Sequence, residues 1–214
     1  MDVIITYLPS LAVSAANTLL LFLACAGVGA VLGLVVAIMR TARLNILREI
    51  SRLFIFVIQG TPALLLLFIV HYGIATLGIR LPPALSATVA LSLYAAGFLG
   101  EIWRGAIEAV PRTQWEAARS LGFARTQALL LLIAPQAIWI ALPATVGFLV
   151  SLMKVTSLAA IIGVVELTKS GMVIANLSFE PMIVYGLIAA TYFAMCWPMS
   201  VLSRHLEKGQ HATR

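Results

Sequence analysis

The sequence predicts an all-α membrane protein with five transmembrane helices, N-terminus out and C-terminus in, and a polar helix between the third and fourth spans. Three observations support this. Of the 214 residues, 62% are hydrophobic and only 10% charged, with a mean hydropathy of +1.05; a bilayer accepts that much apolar surface and a water-soluble core cannot hide it. The apolar residues fall in runs near the ~20 needed to cross a bilayer as helix. The arginines and lysines cluster in alternate gaps between those runs. Length and the lack of a linker make residues 1–214 a single domain.

Span one covers about residues 11–39, long enough to cross with tilt. A cleaved signal carries positive charge ahead of its apolar core. Here Asp2 precedes the core and Arg40, Arg43, Arg48 and Arg52 follow it, which reads as a retained helix. Span two covers about 53–77 and span three about 84–102. A polar loop follows at about 104–127. The apolar region after it, 128–165, contains Pro135 and Pro143. Span four is expected at about 137–163, with the part before Pro135 lying near the surface as a re-entry segment. Span five covers about 182–202. Basic residues favour the cytoplasmic side. Five spans put Arg40 to Arg52, then Arg104, Arg112, Arg119 and Arg125, then Arg204, Lys208 and Arg214 all on that side. Arg80 and Lys169 are left opposite. Four or six spans would scatter the basic loops.

Several function classes are excluded. The net charge of +6 follows membrane topology and is not a nucleic-acid footprint. There is no phosphate-binding Gly-x-x-x-x-Gly-Lys-Ser/Thr, no His-Glu-x-x-His and no Gly-x-Ser-x-Gly. His71, His205 and His211 are scattered, so neither metal binding nor catalysis is expected. Cys25 and Cys196 lie in apolar runs and read as free thiols packed as small hydrophobes. Trp103, Trp115 and Trp197 fall near expected interfaces and Trp139 just after Pro135, so core or aromatic-belt roles are expected for all four.

The polar loop carries the most specific signal. Pro111 suits the start of a helix, residues 114–121 are good helix formers, and Gly122 suits a helix stop. Ala117, Ala118 and Leu121 gather on one side at i, i+3/i+4 spacing, a small-residue face that permits close approach. Residue chemistry leaves two readings open: a docking surface for a soluble partner, or an amphipathic helix resting on lipid.

Ionisable groups inside spans are costly and persist where they face protein, water or cargo. Lys154 lies well inside span four, followed by Thr156 and Ser157, whose hydroxyls can also bond back to their own helix. These three either line a cargo path or serve packing. Gln59, Thr61 and Pro62 lie near the inner end of span two, where Pro62 can kink the helix as a gate pivot or as fixed geometry. Glu101 and Arg104 are spaced to pair along span three. Glu166 is expected outside span four, meeting Lys169 or an external partner.

Glu116-Ala117-Ala118, then three residues, then Gly122, followed by Leu132-Ile133-Ala134-Pro135, resembles the cytoplasmic loop signature of ABC importer permeases. Gln59-Gly60-Thr61-Pro62, Gly100-Glu101-Ile102-Trp103-Arg104-Gly105, Val110-Pro111, Pro135-Gln136-Ala137, Leu142-Pro143 and Lys154-Val155-Thr156-Ser157-Leu158 resemble the polar amino acid branch of that family (histidine, glutamine and arginine permeases). So do Asn17-Thr18-Leu19 and Glu166-Leu167. The likeness covers about residues 16–167. Two positions depart from the branch, Gly147 where asparagine is usual and Val155 where aspartate is usual, and both remove polarity from span four.

The resemblance implies a permease subunit that is not itself an enzyme, moving a polar amino acid or related compound inward by alternating access. Glu116, Ala117, Ala118 and Gly122 would couple to a separate ATP-binding subunit. This chain would bind no cofactor, with ATP and Mg on that partner. The other implied partners are a second permease chain, identical or sister, an extracytoplasmic solute-binding protein, and the lipid of a bacterial inner membrane. The competing classes are a secondary transporter, which calls for an inverted repeat and intramembrane carboxylates, and a membrane scaffold without transport.

Overall fold

The computed structural model describes residues 2–42 and 44–212, with side chains described for 6–42 and 44–209. Arg43 and Arg214, counted above among the basic loops, lie outside the described residues, as do the side chains of Asp2 and His211. The described chain is helical: α1 Asp2–Thr41, α2 Asn45–Gly60, α3 Ala63–Thr76, α4 Pro83–Ala109, α5 Arg112–Ser120, α6 Arg125–Ile162, α7 Leu167–Ser178 and α8 Pro181–Ala212. Four of these, α1, α4, α6 and α8, are long and apolar enough to cross a membrane, and α2 with α3 makes a fifth if the bent pair is one crossing.

Close backbone approach sets the centre of the fold. Lipid tails supply no hydrophobic drive between helices, so small residues that let backbones meet become the adhesive. Gly29 and Gly33, four apart on α1, face α4. A Cβ built on Gly29 would collide with Ala95, and one on Gly33 would stand 3.0 Å from the Leu99 Cβ. In return, a Cβ on Gly100 would stand 2.7 Å from Cγ1 of Val36. The contact advances in the same sense on both helices, so α1 and α4 run parallel. Cys25, Leu67, Leu91, Leu99, Leu152 and Met153 fill the core around this seam. Large apolar side chains on the far side of α1, among them Leu20 and Val31, stay exposed, as a lipid-facing surface requires. Gly33→Leu is expected to force α1 off α4, costing about 1–3 kcal/mol or more by overpacking; reduced yield of folded subunit from membranes checks this.

Span two is not one straight helix. α2 and α3 meet at 106°. Pro62 lacks an N–H and drives the preceding residue out of the helical region, and Thr61 is extended at φ −104°, ψ 126°. The bend is therefore fixed at the Thr61–Pro62 step.

Span four is corrected in the opposite sense. Pro135 and Pro143 do not break it, and the stretch before Pro135 is no separate re-entry segment: α6 runs unbroken from Arg125 to Ile162. A π turn at Leu129–Ile133 absorbs Pro135, with the Ala134 N–H reaching back to the Leu129 carbonyl and the Gln136 side chain donating to the Leu132 carbonyl at 2.8 Å. Such wide turns accommodate a local irregularity without ending the helix. Gly163, at φ +93°, then stops α6.

α6 runs antiparallel to α4, with Phe98 stacked on Phe148 at 5.3 Å and Trp103 donating to Thr145 at 3.0 Å. The short helix α7 was not anticipated. It lies between α1 and the start of α8, with Ser14 donating to Ser170 at 2.7 Å and Gly171 pressed against Ile188. Leu11, Leu167, Ile174, Val184 and Ile188 share one apolar cluster there. α8 thus starts beside the start of α1, and Ser203 farther along it donates to the Pro143 carbonyl at 3.0 Å. Cys25 and Cys196 are free and buried.

Candidate functional site

The short helix α5 hangs below the ends of α4 and α6. Pro111, extended at ψ 140°, precedes its first turn. Val110, Ala106 and Ile133 are buried beneath it, with Trp115 packed against the same cluster. Trp115 and Ala118 are three apart and therefore share a face. Ala118 is 1% exposed, so it belongs to the seat and not to the outer surface expected for it. The outward stripe is Thr113, Ala117 and Leu121 at four-residue spacing, flanked by the exposed Glu116. Leu121 is 74% exposed, a large apolar side chain on an otherwise polar helix.

The helix stop is as the sequence predicts. Gly122 is left-handed at φ +80°, its N–H donates to the Arg119 carbonyl at 2.9 Å, and the Phe123 N–H reaches the Ala118 carbonyl at 3.0 Å. These are the two bonds of a Schellman cap, which satisfies carbonyls that the helix end leaves open. The chain then turns into α6 with little slack.

Beside α5, ion pairs tie α1 to α4. Arg104 donates to both oxygens of Glu101, at 2.9 and 2.5 Å, and pairs with Glu108. Arg40 at the end of α1 approaches Glu101 at 4.0 Å. The expected Glu101–Arg104 pair is present and forms part of a four-residue network that couples the end of α1 to the platform carrying α5.

The polar residues expected in a path separate into two places. Thr61 donates to the Val57 carbonyl at 2.7 Å and Gln59 to Gly97 on α4 at 3.5 Å. Lys154 is exposed on α6. Thr156 is wholly buried, its hydroxyl given to the Met153 carbonyl at 2.6 Å, and Ser157 donates to the Lys154 carbonyl at 2.7 Å. Thr156 therefore faces the chain's own interior, while Lys154 stands on the outside of the bundle. No hydrogen bond joins Gln59 or Thr61 to Lys154, Thr156 or Ser157.

Glu166 lies beyond the end of α6, as expected, and of the two partners left open it meets Lys169, through that residue's backbone N–H. It is 0% exposed and caps α7, accepting from the Thr168 N–H at 3.0 Å and the Lys169 N–H at 2.8 Å, with the Tyr192 hydroxyl donating at 2.9 Å. Thr18 on α1 accepts the Leu167 N–H at 3.0 Å. One buried polar node thus joins α1, α7 and α8. An acid followed by a short amphipathic segment was the available sequence signal, and it reads as an N-cap.

Residues 29–211 match the family described as binding-protein-dependent transport system inner membrane component. Two Bacillus subtilis (strain 168) relatives illustrate the likeness. The probable amino-acid ABC transporter permease protein YckA is 38% identical over 191 residues, covering 89% of this chain and 84% of the relative. The L-cystine transport system permease protein TcyB is 33% identical over 181 residues, covering 84% and 77%. Among solved structures, an amino acid ABC transporter crystallised with histidines superposes with a TM-score of 0.90 at 30% identity over 96% of both chains. A chain of the inward-facing MetNI methionine ABC transporter shares the fold at a TM-score of 0.77 and 18% identity, covering 94% of this chain and 98% of that one.

Proposed function

The chain belongs to the family of binding-protein-dependent transport system inner membrane components, the permease subunits of ABC importers, and from that premise we propose that it carries a polar amino acid or a related compound into the bacterial cytoplasm. The observation that carries the mechanism is α5: a nine-residue helix, seated through Trp115 and Ala118, with Glu116, Ala117 and Leu121 turned away from the chain that holds it. A separate ATP-binding subunit grips this face, and ATP with Mg binds there and not on this chain. When that subunit closes, α5 moves with it. The Schellman cap at Gly122 and the short link to α6 pass the displacement on, because packed helices shift as units.

The helix directions agree with the orientation inferred from charge. α1, α4 and α8 run one way and α6 the other, so Arg40, Arg104, Arg112, Arg119, Arg125 and Arg204 gather toward one end. We place that end in the cytoplasm by the positive-inside rule, with the N-terminus outside and α2 with α3 counted as one crossing. A second permease chain completes the passage, and a solute-binding protein delivers cargo from outside.

Lys154 would be the group of this chain that meets the passage, a reading supported by its exposure on α6 while Thr156 and Ser157 tie their hydroxyls to the same helix. Thr61 sits at the bend between α2 and α3, and Gln59 ties the end of α2 to Gly97 on α4, so these two would position helices around the passage without meeting Lys154. Lys154→Met is expected to leave assembly intact and to reduce cargo-stimulated ATP turnover of the reconstituted complex several-fold, with basal turnover unchanged. Full stimulation in that variant removes Lys154 from the path.

A further inference from the structure

Two cavities meet at Ile107. The first, of about 630 Å³, is lined by Arg40, Arg48, Arg112 and Arg125, with Trp115 and a single acid, Glu108. That acid is already paired with Arg104. Arg40 reaches Glu101 only at 4.0 Å, and its Nε is buried without a hydrogen-bond partner. Arg125 lies over the Trp115 ring at 5.8 Å and donates to the Thr41 carbonyl at 3.3 Å, and Arg48 donates to Asn45 at 2.5 Å. Among the described residues no carboxylate pairs with Arg48, Arg112 or Arg125. Four guanidinium groups therefore surround a cavity that lacks matching negative charge, and guanidinium is the side chain best shaped for phosphate oxygens.

The second cavity, of about 490 Å³, is a groove between α1, α4 and α6. Ala30, Leu34, Ile38, Ala137 and Ala141 line it, and Ile107 lines both spaces. The groove follows α1 from Ala30 to Ile38, about 12 Å of helix rise, and the arginine cavity begins two residues later at Arg40. Leu34 and Ile38 are more than half exposed along it. A charged chamber at the end of an apolar groove has the two-part shape of a phospholipid.

We propose that these cavities form one site for an anionic phospholipid, its phosphate among Arg40, Arg48, Arg112 and Arg125 and an acyl chain in the groove. A zwitterionic lipid would bring a cationic group into the arginine cluster and is disfavoured. A free phosphate would leave the groove unused. A lipid held there bridges α1, α2, α5 and α6, and so braces the platform under α5. The inference rests only on the chain's being embedded in a membrane and needs no particular cargo.

The test is native mass spectrometry of the detergent-purified complex containing the full-length chain, titrated separately with phosphatidylglycerol, phosphatidylcholine and inorganic phosphate. Phosphatidylglycerol is expected to remain bound, phosphatidylcholine not to displace it, and inorganic phosphate to have no effect. Each basic group near an anionic lipid is worth roughly fivefold in affinity, so Arg48→Gln with Arg112→Gln should weaken retention about twenty- to thirtyfold. Ala137→Phe, which fills the groove and leaves the arginines in place, should weaken it as well. Benzoylphenylalanine in place of Ile38 should photo-crosslink to lipid. Equal retention of both lipids, displacement by inorganic phosphate, an unaffected groove variant, or crosslinking of Ile38 to a second polypeptide would each overturn the assignment. The same spectra report whether an ATP-binding subunit is present, so failure here is distinguishable from failure of the functional reading.

Discussion

An Ala117→Trp variant is expected to reach the membrane, fold and pair normally, yet lose nearly all uptake. Ala117 is exposed on the outward stripe of α5, so the indole can point away from the chain's own core. Under the proposed docking, its bulk falls where the ATP-binding subunit would approach. An interface packed to the density of a protein interior does not admit a large ring without displacing the helix, and a 1 Å misplacement in a coupled machine is costly. Uptake should fall at least about a hundredfold. ATP turnover by any complex that still assembles should no longer respond to cargo. Ala118→Trp is a different experiment: Ala118 is 1% exposed in the seat, so that variant is expected to unfold α5 from its platform. Transport by proteoliposomes, measured beside thermal stability, separates the two outcomes.

Glu166→Ala is expected to prevent stable assembly of the bundle altogether. Three donors converge on this buried carboxyl group from Thr168, Lys169 and Tyr192. Removing it takes away the cap of the Thr168 and Lys169 N–H groups, each at a cost of about 1–3 kcal/mol, while the Tyr192 hydroxyl keeps Thr168 as a partner at 3.2 Å. Two such losses, about 2–6 kcal/mol together, are a large fraction of the net stability of a typical domain, about 5–15 kcal/mol. The loss also falls where α1, α7 and α8 meet, so it is not confined to one loop. The check is size-exclusion chromatography of detergent extracts: the wild type should run as a single species and the variant should aggregate. Tyr192→Phe removes one hydrogen bond of the three and is expected to be tolerated with a modest drop in melting temperature.

Much of this architecture is legible in the sequence because membrane spans need only length and apolarity, which are local. The α5 region was legible for a different reason. Pro111 and Gly122 act through the backbone of their own residues, so start and stop need no tertiary information, and the left-handed φ of +80° at Gly122 is the conformation that its residue type favours. What a single sequence leaves unresolved is geometry that depends on neighbours. Hydropathy averages across Pro62 and returns one span, whereas the backbone turns by 106° there. Residue type alone marks Pro135 as a break, whereas a π turn carries the helix through it. α7 was missed because twelve residues with Ser, Lys and Asn look like a loop until the acid ahead of them is recognised as buried. The inward rotation of Ala118 was missed because Ala117 and Ala118, adjacent in sequence, stand 100° apart on a helix.

The candidate path residues show the same limit. Lys154, Thr156 and Ser157 are nearly consecutive, yet one is exposed, one wholly buried and one between. Their polarity is visible in the sequence and their direction is not. Direction decides which of them can face outward and which closes its own helix.

The most direct measurement is a cysteine cross-link at the outward face of α5. Ala117→Cys in the full complex, with a cysteine introduced in turn along the cleft of the ATP-binding subunit, should give a high-yield short-span cross-link that changes when ATP is added. A cysteine at Leu177, exposed on α7 near the opposite end of the bundle, should give none. If Ala117→Cys never captures that subunit while the complex still hydrolyses ATP in response to cargo, force does not enter this chain through α5.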